Sequence, residues 1–173
     1  MSRAAARVRS AAAGLFALFA ACALAACTVG LVPAYDADLA QGLSSAHAAT
    51  LVEFARVEEG SPKEDYPAHA DTYAELIGAF GELQTRAATR PIPPLASRLA
   101  KTSVFRKVCP ATDDPEVCLN ATPDSIAMVL ATLRTMRTTH RTIGLEPVIV
   151  EGFQREYLTA IDQAMTVEAA LER

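Results

Sequence analysis

Four stretches of this chain repeat apolar or small side chains every three or four residues, and that period restricts the possible folds more than any single motif. In residues 36–57 the repeat runs through Leu39, Leu43, Ala46, Thr50, Phe54 and Val57. In residues 67–88 it runs through Tyr73, Leu76, Ile77, Phe80, Leu83 and Ala87. Residues 122–143 carry Ile126, Val129, Leu130, Leu133, Met136, His140 and Ile143. Residues 147–171 carry Val150, Phe153, Tyr157, Ile161, Ala164, Met165 and Glu168. Each set falls on one face of an α-helix.

The boundaries agree with the periodicity. Asp36 and Asp38 put negative charge at the start of the first segment, where the helix dipole favours it, and Glu58-Glu59-Gly60-Ser61-Pro62 stops that segment. Arg90-Pro91-Ile92-Pro93-Pro94 breaks the second segment. Thr122-Pro123-Asp124 reads as a cap with proline at the first helical position, and Gly144 reads as a stop. Alternating strand patterns are absent, and Val148-Ile149-Val150 is too short to build a sheet. Helices that each bury one stripe and are joined by short links predict an all-α fold, an antiparallel four-helix bundle with a Pro/Cys-containing insert between helices 2 and 3. Gly78 and Gly81 interrupt the second helix at a cost of about 1 kcal/mol each, which close approach to a neighbouring helix would offset.

The insert, residues 91–121, is read as one short helix over 95–104 and then the loop Cys109-Pro-Ala-Thr-Asp-Asp-Pro-Glu-Val-Cys118. A loop this short with two prolines brings the two sulfurs together, and a Cys109–Cys118 disulfide is expected. Closing it would stabilise the chain by about 2–3 kcal/mol on the loop-entropy argument. Zinc would need further ligands at short spacing, which neither cysteine has.

Ahead of the helices, Arg3, Arg7 and Arg9 precede an apolar run over residues 11–26, the order of a secretory signal. Sixteen residues are too few to cross a bilayer core, which takes about 20. The run ends Leu24-Ala25-Ala26-Cys27, which resembles the lipobox of bacterial lipoproteins. That resemblance implies lipidation of Cys27 on sulfur, cleavage after Ala26 and a further acyl chain on the new amino terminus. More than one chain is needed for stable anchoring. With Thr28 rather than Asp after the cysteine, the same resemblance favours the outer membrane, facing the periplasm. Cys22 leaves with the signal. The expected organisation is residues 1–26 as signal, 27–35 as lipidated tether and 36–173 as helical domain.

Processing leaves 147 residues, the size of one domain. Arg3, Arg7 and Arg9 are the only charged residues removed from 16 basic and 20 acidic ones, so the mature chain carries a net charge of −7. Nucleic acid is therefore not an expected partner. Across Tyr35 to Leu43 and Phe54, Tyr73 to Ala87, Leu133 to His140 and the final Val167-Glu168-Ala169, the chain resembles a group of helical bacterial envelope lipoproteins to which no chemistry is assigned.

The motifs of catalytic and metal sites are missing from the same residues. Di-iron bundles need Glu-x-x-His pairs, which do not occur, and His47, His69 and His140 fall on three different helices. No nucleophile elbow or phosphate-binding glycine loop is present. His140 reads as a hydrogen-bonded core histidine near a helix end rather than a ligand or acid–base group. Arg134, Arg137 and Arg141 form a basic stripe, read as a solvated face paired with the acidic first and last helices rather than a site for anionic lipid. Asp113-Asp114 lack the spaced oxygens of a calcium loop. The expectation is a non-enzymatic interaction or scaffold module without metal or cofactor. It is held to the membrane by its lipid and partnered by an envelope protein. The alternative is a carrier or sensor of a small apolar ligand, with room between the helices left by Gly78 and Gly81.

Overall fold

The segments with helical period are helices. A computed structural model describes residues 31–109 and 118–172; residues 1–30, which include the expected signal and Cys27, lie outside the described residues, as do residues 110–117. The elements are α1 (Ala37–Val57), a 3-10 turn (Lys63–Asp65), α2 (Tyr66–Ala88), α3 (Pro94–Ala100), α4 (Ser103–Val108), α5 (Thr122–Ile143) and α6 (Pro147–Leu171). The fold is all-α, with no strand among the described residues. α1 packs against α2 and α6, and α5 packs against the same two helices. Among the described residues no helix is long and apolar enough to cross a membrane.

The predicted stripes form one core. Leu39, Leu43, Phe54, Tyr73, Phe80, Ile126, Leu130, Leu133, Met136, Tyr157 and Ile161 are almost fully buried in it. Ile143 does not join them: it is 73% exposed, because Gly144 turns the chain with φ +85° immediately after it. His140, nearly one turn earlier, is the last α5 side chain to reach the interior.

Side-chain caps open α1 and α4, and proline in the first turn opens α2, α3, α5 and α6. Asp36 is the cap of α1, its Oδ1 accepting from the backbone N–H groups of Asp38 and Leu39 at 3.1 Å each. Thr122 does not cap α5. The cap position is Ala121; Thr122 is already the first helical residue, and its hydroxyl donates to the buried Glu168 Oε1 at 2.5 Å. The insert holds two short helices where one was expected. α3 ends at Ala100 with Lys101 in the cap position, and Thr102 caps α4, its Oγ1 accepting from the Phe105 N–H at 3.3 Å.

The close approach expected at Gly78 and Gly81 occurs elsewhere. A Cβ at either position would meet nothing within 4 Å, whereas one at Gly42 on α1 would sit 2.5 Å from Leu83 Cδ2 on α2. The short connections α1–α2 and α5–α6 meet at one end of the fold, where Ser61 and Leu145 exchange backbone hydrogen bonds of 2.8 and 2.7 Å. The start of α1, the ends of α2 and α6 and the start of α5 are tied together at the other end by Asp36, Arg86, Arg90, Asn120, Thr122 and Glu168.

Candidate functional site

Two polar clusters sit inside the helices, one near each end. Near the Ser61–Leu145 end, α1 contributes Glu53, α2 contributes Tyr66, His69 and Tyr73, and α5 contributes His140. His69 Nδ1–H donates to Glu53 Oε1 at 2.6 Å, and Glu53 Oε2 also accepts from Arg56 Nη1 at 3.5 Å. The Glu53 side chain is almost fully buried, and that of His69 is 16% exposed, which places His69 between the cluster and solvent. The His69 and His140 rings lie 5.1 Å apart, and Tyr66 meets His140 edge to face.

Tyr73 and His140 Nδ1 share a hydrogen bond of 3.1 Å. Both residues are completely buried. His140 Nε2 makes no hydrogen bond of good geometry, and the Pro62 carbonyl is the backbone acceptor that acts on the ring, so this buried atom is only weakly compensated. Burial, and next the neighbouring His69, hold His140 below the ordinary imidazole range, against the opposing pull of the Pro62 carbonyl, Glu53 and Asp65. Burial likewise raises the Tyr73 phenol well above its usual range. The arrangement is a carboxyl that orients one imidazole beside a second imidazole kept neutral, and its chemical capacity is to hold and exchange protons.

The second cluster closes the opposite end. Arg90 binds Glu168 through Nη1 to Oε2 at 2.7 Å and through Nη2 to Oε1 at 2.8 Å. Arg90 Nη2 also donates to Asn120 Oδ1 at 2.9 Å, and Asn120 Nδ2 donates to the Ala87 carbonyl at 2.9 Å. Just outside, Arg86 forks onto Asp36 at 2.6 and 2.8 Å and reaches Asp38 at 2.8 Å. The Arg86 guanidinium, through that hydrogen bond first, holds the Asp36 carboxyl below the usual carboxylate range.

The positions singled out in the sequence are scattered over the fold. Cys27 lies outside the described residues. Cys109 and Cys118 form the expected disulfide, with Cα atoms 6.4 Å apart. His47 stands apart from the other two histidines, its Nδ1 3.0 Å from the Tyr157 hydroxyl; burial pushes that phenol up to about 12. Arg134 and Arg141 are exposed and Arg137 is half-buried, and none of the three makes an ion pair among the described residues. Asp113 and Asp114 lie outside the described residues.

Glu53 and Arg90 were missed. Glu53 falls on the buried face beside Phe54, and the period alone marks it as internal. Arg90 carries no periodic signal, because it comes after the end of α2 in a segment whose prolines dominate the reading.

Two surface grooves accompany these clusters. One of about 580 Å³ runs between α1 and α2 over Gly42, Ala46, Ala49 and Ala79, with Glu75 and Glu82 at its rim. One of about 410 Å³ lies between α5 and α6 over Met128, Ala131 and Ala160. No family model, curated protein or solved structure is significantly similar to the chain.

Proposed function

We propose that this chain is a lipid-anchored envelope protein, exported by residues 1–26, acylated on Cys27 and held at the outer membrane facing the periplasm. Its domain, residues 36–173, is an antiparallel four-helix bundle acting as a non-enzymatic interaction or scaffold module. The observation that supports this most directly is the length of the leash: α1 is capped at Asp36, nine residues beyond Cys27. Fully extended, those residues reach at most about 30 Å. A domain held so close meets other components of the envelope surface and little else. The bundle reading is supported by the cyclic packing of α1, α2, α5 and α6 and by the two sets of helix ends gathered by Ser61–Leu145 and by Arg90–Glu168.

The α1–α2 groove favours a second reading, a carrier of a small apolar ligand, since its volume lies within the roughly 300–1,000 Å³ of ligand sites. The deciding experiment is intact mass on membrane-extracted protein, wild type against Cys27→Ala, and then cross-linking in intact cells. Residues 27–173 plus diacylglyceryl and acyl groups, with one stoichiometric cross-linked envelope protein, is the expected result. An unmodified mass overturns the anchor. A lipidated protein that cross-links to nothing but co-purifies with a small molecule favours the carrier.

A further inference from the structure

We propose that the insert formed by α3 and α4 docks on the anionic surface of the bilayer that holds Cys27, which fixes the orientation of the helices above it. The proposal rests on Cys27 being acylated. Its own support is composition, exposure and position.

α3 and α4, residues 94–108, contain no Asp or Glu, in a mature chain whose net charge is −7; the acids of the insert, Asp113, Asp114 and Glu116, fall between Cys109 and Cys118. α4 also carries Arg106. Of the cations in residues 83–112, Arg86 and Arg90 are engaged by Asp36, Asp38 and Glu168. Arg98, Lys101 and Lys107 are exposed and form no ion pair among the described residues. The far end carries both signs: Glu58, Glu59, Glu64, Asp65, Glu146 and Glu151 lie in or beside the two connections, with Arg56, Lys63 and Arg141 among them.

The same insert exposes Leu95, Leu99 and Val104, at 44%, 41% and 71%. Leu95 and Leu99 are one turn apart on α3, so they share a face. Among the described residues the backbones of α3 and α4 approach each other and none of the four long helices closely. Apolar side chains with Lys and Arg beside them, on short helices lacking acids, suit the headgroup boundary of a membrane.

The position of the insert agrees with this. It leaves from the end of α2 and returns to the start of α5, the end of the fold where Asp36 begins α1. The tether residues Leu31, Val32 and Tyr35 are also exposed. An anchor nine residues from Asp36 therefore delivers this end to the bilayer, where a cation near an anionic surface gains about fivefold in partitioning. The arginine stripe of α5 lies in its second half, towards the far end.

The chain has no tryptophan, so Leu99→Trp supplies a single emission. The lipidated full-length variant is reconstituted in vesicles of brominated phosphatidylcholine with or without phosphatidylglycerol, with Val104→Trp as second reporter and Val52→Trp on α1 as control. With phosphatidylglycerol, both insert reporters are expected to shift to the blue and be quenched, while Val52→Trp is unaffected. Without it, or in a background of Arg98→Gln, Lys101→Gln and Lys107→Gln that retains its helical circular dichroism, shift and quenching are lost. Those three substitutions together should weaken insert–surface partitioning about a hundredfold.

Retained protein with both insert reporters unquenched overturns the docking and leaves the anchor standing. Equal quenching in both lipids overturns the choice of an anionic surface. A shift seen only on adding envelope extract assigns the patch to a protein and also overturns it. Protein that floats free of the vesicles, with no lipid on its mass, removes the anchor and the docking together.

Discussion

Arg90 grips Glu168 with both terminal nitrogens, at 2.7 and 2.8 Å, although 78 residues separate the two and neither side chain is more than 6% exposed. The carboxylate also accepts from Thr122, so one acidic side chain on α6 gathers the end of α2 and the start of α5. A buried pair of this kind contributes little over a well-packed apolar substitute, but its halves do not survive apart.

Glu168→Ala should therefore cost about 3–5 kcal/mol, and Arg90→Met with Glu168→Leu should recover most of that. Urea unfolding monitored by circular dichroism checks both. A loss under about 1 kcal/mol for the single variant would mean that water replaces the carboxylate.

Tyr73→Phe removes the partner of His140 Nδ1 and leaves the buried ring with only the weak pull of the Pro62 carbonyl, at a cost of about 1–3 kcal/mol in the same assay. His140→Phe, which removes the polar atoms altogether, should cost less than a buried unpaired imidazole would suggest, provided the ring fits.

The lowered proton affinity of His140 gives a pH dependence with a definite sign. Tyr73, Tyr66, His69, Glu53 and Asp65 surround the ring, and burial dominates, so the native state takes up this proton at lower pH than the unfolded state does. The unfolded chain then binds more protons as pH falls below about 6.5, and stability declines from there until the native ring titrates. Denaturation midpoints at about pH 7 and about pH 5 should differ in that direction, and by less in His140→Gln. An unchanged slope would show that other groups carry the effect.

The glycines separate by position. Gly78 has open space around it, so Gly78→Ala should stabilise by about 0.5–1 kcal/mol through backbone entropy. Gly42→Ala gains the same entropy, but it drives a methyl onto Leu83, which must shift, and the net change should be smaller. Thermal midpoints of the two variants give the comparison.

Reduction of the Cys109–Cys118 bond should add the mass of two hydrogens. Replacing both residues by Ser should make the insert the first site of proteolysis. The main unfolding transition should move by less than the full loop-entropy value of about 2–3 kcal/mol, because among the described residues the backbones of α3 and α4 closely approach only each other.

The helices were legible because one physical rule, the period of burial, fixes them. α6 runs over the predicted residues, and α1 and α2 differ from their expected starts by one residue. The polar interior was only half legible. His140 and Glu168 were marked as inward-facing by their spacing, but that His140 meets Tyr73 and His69, and Glu168 meets Arg90, depends on which helices become neighbours. Nothing in a single period encodes that. Thr122 is the first residue of α5 rather than its cap, and the acceptor of its hydroxyl, Glu168, comes from a helix nearly fifty residues away. The insert was least legible, since prolines end one helix without dictating how many turns the chain forms beyond them.

Ser61 and Leu145, both nearly buried, leave no slack between the two connections they join, and Gly144 beside them already sits where a Cβ would be 2.9 Å from the Lys63 nitrogen. The two turns therefore count as one unit of fixed length. An epitope tag or a deletion at either of them disturbs both helix pairs at once, whereas changes of length within residues 91–121 alter only the path from α2 to α5. Tolerance to changes of length belongs to the end that carries residues 91–121, and the Ser61–Leu145 end is the part whose spacing is fixed.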